Sequence, residues 1–243
     1  MKRKAERMKR MKLAGALIVA SLVVSAAKVR PADVNRLTDE EKQQGWRLLF
    51  NGVDFTGWMT LAGDSLREGM WQVQDGALTV LGGHEQGCDI ITRDTFVNFE
   101  LTLEVKLTRG ANSGIKYFIQ PACSVGFEYQ VLDDEVNPDA KLGRNGNRRF
   151  ASLYDLLPAK NTTPKPIGEW NQVRLVVQGN HIEHWLNGKK VLEFDRDSKK
   201  FRQAFEKSKF RAVKDFCSRR QGHLFLQDHG RQVSYRNIKL RVL

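Results

Sequence analysis

The chain has 243 residues, a formal charge of +12 at pH 7, 41% apolar residues and 28% charged residues. That balance describes a globular protein. Half of the excess charge sits at the N-terminus and carries no message about nucleic acid.

Met1 to Lys12 holds Lys2, Arg3, Lys4, Arg7, Lys9, Arg10 and Lys12 against Glu6. The charge-free run Leu13 to Val24 follows, and then the small residues Ser25-Ala26-Ala27. Basic, apolar and small-residue zones in that order predict a signal peptide over residues 1–27. The apolar run falls short of the about 20 residues of a comfortable membrane span, and an uncleaved anchor is the alternative reading. Removing seven bases and one acid takes the formal +12 down to +6. The expectation is a secreted or periplasmic protein with a short linker over 28–36, one domain over 37–243, and no membrane contact after cleavage. Bases recur from Lys199 to Arg220, Lys209 among them, without the interleaved aromatics of a nucleic-acid module. They read as a solvated face, and no nucleic-acid partner is expected. Cys88, Cys123 and Cys217 are odd in number, so one bridge with one thiol and three thiols both stay open.

Along the chain, Thr38 with Glu41 three residues later predicts a capped helix start. A strand over Gly45 to Gly52 follows, ending in an Asn-Gly turn. Trp71 to Val73 and Ala77 to Leu81 flank Asp75-Gly76, a hairpin signature. Phe99 to Leu107 alternates, with Phe99, Leu101, Leu103, Val105 and Leu107 inward. Gly114 to Ile119 and Phe127 to Leu132 are the next strands. Asn171 to Gln178, His181 to Leu186 and Lys190 to Phe194 form a later group, the last two joined by Asn187-Gly188. A helix over Ser198 to Ser208 puts Phe201, Ala204, Phe205 and Ser208 on one side. His223 to Gln227 and Val233 to Val242 close the chain. Many short strands with close turns give an all-β class, a two-sheet antiparallel jelly-roll sandwich with one or two short helices.

Two segments break this rule. In Phe127 to Leu132 the face opposite Phe127, Tyr129 and Val131 carries Glu128 and Gln130, an acid and an amide side by side. Beyond it, about 35 residues from Asp133 to Glu169 show no periodic pattern, well past the roughly 12–15 residues usual for a structureless connection. Phe150, Leu153, Tyr154, Leu156 and Leu157 lie within it, so it reads as an ordered loop folding over the polar face.

Several motifs match a known family: Leu48-Leu49-Phe50-Asn51-Gly52, Asn112-Ser113-Gly114, Gly126-Phe127-Glu128-Tyr129-Gln130 with Asp133, and Ser152-Leu153-Tyr154-Asp155. His184-Trp185-Leu186-Asn187-Gly188, Ser208-Lys209-Phe210 and Leu226-Gln227-Asp228-His229-Gly230 continue the series. In that order they resemble the 3-keto-disaccharide hydrolase family, from about Leu37 to the last residue. The resemblance implies a concanavalin A-like jelly roll, and an exported enzyme acting on glycosides whose glucose ring is a ketone at carbon 3. It also implies an upstream sugar 3-dehydrogenase that makes this small carbohydrate substrate.

A ketone at carbon 3 acidifies the carbon-2 proton, so a base can start an elimination at carbon 1 that hydration completes. Such a site needs a base, a polariser of the enolate oxygen and an acid for the leaving group. His229, before a glycine turn, is the leading acid/base candidate, because imidazole titrates near working pH. Glu128, Asp133 and Tyr154 complete the candidate catalytic set, the Tyr154 hydroxyl as a donor to the enolate or as a loop anchor. Gln130, Arg149, Asp155, Gln227, Asp228 and His184 are candidate substrate contacts. Asp228 either orients the His229 ring or caps backbone, and the alternation of His184 with Ile182 and Leu186 favours a core-facing ring. No organic cofactor is expected, since no Gly-x-Gly-x-x-Gly turn follows a strand. A divalent cation on Glu128 and Asp133 is the open alternative. A non-catalytic carbohydrate-binding module and a hydrolase of unoxidised glycans are the rival readings.

Overall fold

The computed structural model describes residues 34–66, 69–83 and 87–243. The expected signal peptide and most of the linker lie outside the described residues. The first helix, α1 (Asp39–Gln43), forms because Thr38 and Glu41 satisfy each other's backbone. The Glu41 amide donates to Thr38 Oγ1 at 3.1 Å, and the Thr38 amide to Glu41 Oε2 at 2.8 Å. Lys239 Nζ, 2.6 Å from Glu41 Oε1, ties this helix to the last strand.

In chain order the strands are β1 (Arg47–Leu48), β2 (Trp58–Thr60), β3 (Trp71–Gln74), β4 (Ala77–Val80), β5 (Ile90–Phe96), β6 (Phe99–Leu107) and β7 (Asn112–Ile119). They continue with β8 (Phe127–Leu132), β9 (Trp170–Gln178), β10 (His181–Leu186), β11 (Lys189–Asp195), β12 (Gly222–Leu226) and β13 (Val233–Val242). One sheet runs β11-β10-β9-β6-β13-β4-β3 with β1 also on β13; the other runs β2-β5-β12-β7-β8. Every pairing within them is antiparallel. The expected all-β two-sheet sandwich is what the chain forms.

The hairpin turns follow from their residues. Asp75 and Gly76 have φ of 50° and 70°, Asn187 and Gly188 of 49° and 80°, the left-handed pairs that match strand twist. The inward faces of both sheets fill a common core: Leu101, Leu103 and Val105 from β6, Val173 and Leu175 from β9, Phe127 and Tyr129 from β8. A second helix, α2 (Lys199–Glu206), is capped by Ser198 and buries Phe201 in the same core.

Strands β2 and β5 are absent from the sequence reading. In β5 the apolar start Ile90-Ile91 gives way to exposed Arg93, Asp94 and Thr95, so neither alternation nor an apolar run covers its length. The connection 133–169 is ordered as expected but docks differently. It runs along the open edge of β8, where the Gln130 amide donates to Ser152 O, the Ala151 amide to Gln130 O and the Tyr154 amide to Glu128 O, at 2.8–3.1 Å. An edge strand has unpaired amides and carbonyls to satisfy, and this segment satisfies them. All three cysteines are free thiols, partly buried.

Candidate active site on the outer face of the smaller sheet

Strands β7 and β8 pair with Lys116 opposite Glu128 and Gly114 opposite Gln130. Alternation turns Tyr117, Ile115, Phe127 and Tyr129 into the core and leaves Lys116, Gly114, Glu128 and Gln130 on the outer face. Lys116, Glu128 and Gln130 floor a cavity of about 250 Å³, whose walls include Asn112, Tyr154, Lys209, Phe210, Gln227 and His229. The volume suits one sugar ring better than a long glycan, being below the range of about 300–1,000 Å³ for drug-sized ligands.

Glu128 is buried, and desolvation pushes its carboxyl above the ordinary 4.5, while the charges of Lys116, Lys209 and His229 pull it back. Lys116 Nζ lies 3.9 Å from Glu128 Oε2, donates to Ser124 O at 3.2 Å and sits 4.5 Å from the centre of the Phe225 ring. The carboxylate occupies space that only glycine leaves: a Cβ on Gly114 would stand 2.2 Å from Glu128 Oε1. Beside it, Gln130 Nε2 donates to Asn112 Oδ1 at 3.1 Å, and Gln130 Oε1 is buried without a hydrogen-bond partner. A buried acceptor left open in a cavity is suited to a ligand hydroxyl.

The opposite wall is built by the long connection and the segment after α2. Lys209 Nζ donates to Tyr154 Oη at 3.2 Å and lies 4.3 Å from that ring's centre. Asp155 fixes this arrangement: its Oδ2 accepts the Lys209 amide at 2.8 Å and its Oδ1 accepts Arg148 Nε at 2.7 Å. Burial, then the hydrogen bond to Asp139, push the Tyr154 phenol up, so it stays a proton donor at neutral pH. Desolvation lowers the Lys209 ammonium, with the nearby Arg148 charge acting the same way.

His229 stands exposed at the mouth of the cavity. Its neighbour Asp228 clamps backbone, accepting the Cys88 amide at 2.9 Å and the Gly230 amide at 3.0 Å. The Asp228 amide in turn donates to Asp89, whose carboxyl burial raises.

The structure therefore brings together Glu128, Gln130, Tyr154, Gln227 and His229 from the sequence candidates. Five others stand elsewhere, Asp228 as the backbone clamp just described. Asp133 is outside the cavity lining and accepts the amides of Gly110, Glu135 and Val136, fixing the start of the long connection. Arg149 points to solvent with its Nε 3.5 Å from Asp134. Asp155 acts through Lys209. His184 is wholly buried in the core, where Nδ1–H donates to Ala151 O at 2.8 Å and the Tyr117 hydroxyl donates to Nε2 at 3.2 Å. Its ring is unavailable to substrate.

Lys116 and Lys209 are the site residues that sequence reasoning missed. The alternation of β7 already puts Lys116 on the polar face; Lys209, grouped with a solvated basic face, is instead a wall of the cavity. Nor do the residues fit a cation on Glu128 and Asp133: the first faces an ammonium group, and the second is filled by three amides. Among the described residues, His181, Glu183 and Glu193 bring three metal-type ligand atoms within 4.8 Å. That cluster lies on the β10–β11 hairpin, and Lys190 already bridges its two carboxylates.

Residues 45–241 match the sequence profile of the 3-keto-alpha-glucoside-1,2-lyase-like domain. The chain belongs to this family. A 3-keto-disaccharide hydrolase of Bacteroides thetaiotaomicron is 34% identical, the match covering 91% of this chain and 87% of that protein. A crystal structure from Parabacteroides distasonis ATCC 8503, under a provisional glycosyl hydrolase name, superposes with a TM-score of 0.77. It is 31% identical, with 86% of this chain and 99% of that one covered. A second P. distasonis structure of the same provisional name gives a TM-score of 0.61 at 28% identity, over 76% of this chain and 99% of the other. Membership accounts for the order of motifs along the sequence, since they fall on β1, β7, β8, β10, the β8 edge and the cavity wall.

Proposed function

We propose that this protein is a hydrolase of 3-keto-glycosides that works by elimination and hydration. The observation that carries the reading is the composition of the cavity. Among the described residues lining it, Glu128 is the one carboxylate, and two lysines, a tyrosine and a histidine surround it. Glycosidases of unoxidised sugars rely on a pair of carboxylates flanking the scissile bond. A single carboxylate of raised basicity beside ammonium groups suits proton removal next to a carbonyl.

In this reading Glu128 takes the proton from carbon 2, and the electron pair moves onto the carbon-3 oxygen, stabilised by the Lys116 ammonium. Collapse of the enolate restores the ketone, forms the carbon 1–carbon 2 double bond and breaks the bond from carbon 1 to the leaving oxygen. The Tyr154 phenol, held by Lys209, protonates that oxygen. His229 at the mouth removes a proton from the water that adds to carbon 1, Glu128 returns its proton to carbon 2, and the proton held by His229 restores the Tyr154 phenol. Gln130 Oε1 accepts a ring hydroxyl. The chain's own residues supply each step. The substrate implies a preceding oxidoreductase that forms the ketone, and the basic, apolar and small-residue zones at the N-terminus support export of this protein.

The test is turnover of a 3-keto-glucoside beside its unoxidised parent, with the carbon-2 position deuterated. Cleavage of the keto sugar alone, slowed by deuterium and lost by about 100-fold or more in Glu128→Gln, is the expected result. Equal cleavage of both sugars, or no isotope effect with Glu128→Gln fully active, would sink it.

A further inference from the structure

A second cavity, of about 600 Å³, adjoins the first, with Lys209 in the wall of both. Its lining carries Arg144, Arg148, Lys160, Lys200, Lys207 and Lys209 against Asp155 as its one acid. Asp155 offers nothing to a ligand, because Arg148 and the Lys209 amide already occupy its two oxygens. The rest of the chain pairs many of its surface cations: Lys42 with Asp39, Lys190 with Glu183 and Glu193, Lys239 with Glu41, Arg236 with Glu104. Among the described residues, no carboxylate pairs with Arg144, Lys160, Lys200 or Lys207.

These charges are also positioned. Arg144 is held by two bonds, its amide to Asn147 Oδ1 at 2.8 Å and its Nη1 to Lys207 O at 2.7 Å. That fixes a guanidinium against Lys207, the residue just after α2. Leu156 and Pro158 supply an apolar wall. Like charges gathered around one concavity repel one another and are relieved by an anion, and guanidinium with ammonium groups is the donor set that oxyanions prefer.

We propose that this second cavity is the leaving-group subsite and that it takes an oxyanion-bearing aglycone, a carboxylate or sulfonate on an apolar frame. The place of the sugar rests on the 3-keto-glycoside reading; the charge preference does not. In that arrangement Tyr154 and Lys209 stand at the boundary where the scissile oxygen would lie.

The experiment uses the intact protein and ligand-observed NMR titration with 4-hydroxybenzoate, 4-hydroxybenzenesulfonate and 4-hydroxybenzamide. Turnover of aryl 3-keto-glucosides built on the same phenols is measured in parallel. At low salt the two anions are expected to bind roughly tenfold more tightly than the amide. The advantage should vanish at about 1 M salt, where screening acts within about 3 Å, and in the Lys200→Ala/Lys207→Ala double variant. Both lysines are exposed, so that variant keeps its core, and thermal unfolding verifies it. Equal affinities for all three phenols would overturn the proposal, as would an anion preference that survives in both the double variant and Arg144→Ala. Anion preference without cleavage of any keto sugar would uphold the cavity as an anion site and overturn both the 3-keto-glycoside reading and the leaving-group assignment that rests on it. The carboxylate and sulfonate arms separate the two kinds of anion.

Discussion

At the scale of single residues, the chemistry turns on a carboxyl kept out of water. Glu128 is held above its ordinary 4.5 by burial, so the folded protein binds its proton more tightly than the unfolded chain. Stability is then lost as pH rises through and beyond that value. Glu128→Gln, neutral and of the same shape, should match the wild type near pH 4 and exceed it at pH 7, a gap that thermal unfolding across pH would reveal. A stabilised but inactive variant would mark a residue kept for function. Gly114 makes the complementary point. In Gly114→Ala the new methyl group would stand 2.2 Å from Glu128 Oε1, so the carboxylate must swing away. We expect a folded protein whose kcat falls by at least about tenfold, the cost of misplacing a proton-transfer group; an unchanged kcat would argue against Glu128 as the base.

At the scale of elements, β8 and the connection after it behave as one unit. The strand's outer side chains form the floor, its edge holds residues 151–154, and that pairing delivers Tyr154 to the wall. Asp133 starts the turn that makes this docking possible. Asp133→Ala strips the acceptor from three amides and should cost about 1–3 kcal/mol, read as a lower denaturant midpoint. Its kcat/KM per folded molecule should stay within about tenfold of wild type, whereas a catalytic carboxylate would cost about 100-fold or more. The alternation in Phe127 to Leu132 was legible from the sequence, and so was a polar face needing a purpose. The docking of the loop along the edge was not, because edge pairing depends on backbone groups that every sequence has.

At the scale of the whole molecule, the core ties the two sheets to the long connection through His184. This ring bonds to Ala151 of the connection and Tyr117 of the smaller sheet, from a strand of the larger one. Burial lowers its pKa to about 4 from 6.5, despite the Ala151 bond that favours the charged form. The unfolded chain therefore takes up a proton that the folded one refuses, and stability present above 6.5 is lost as pH falls toward 4. A shift of this size corresponds to about 3 kcal/mol at most. Urea midpoints at pH 7 and pH 5 should show the loss in the wild type and a smaller loss in His184→Gln. The two buried groups act in opposite directions, Glu128 weakening the fold toward high pH and His184 toward low pH.

By itself the sequence determined the local rules: period-two alternation in β6, β8 and β10, left-handed hairpin turns at Asp75-Gly76 and Asn187-Gly188, and capping at Thr38. Those follow from side-chain direction and backbone conformation, which neighbouring residues decide. The order of motifs added the family. Only the tertiary structure decided that Lys209 walls a cavity and that Asp133 is a loop clamp, whereas the core-facing ring of His184 was already favoured by its alternation with Ile182 and Leu186. A lysine in a solvated helix flank and a lysine over a tyrosine read alike in sequence; what separates them is which distant segment lies alongside, and packing between sheets sets that.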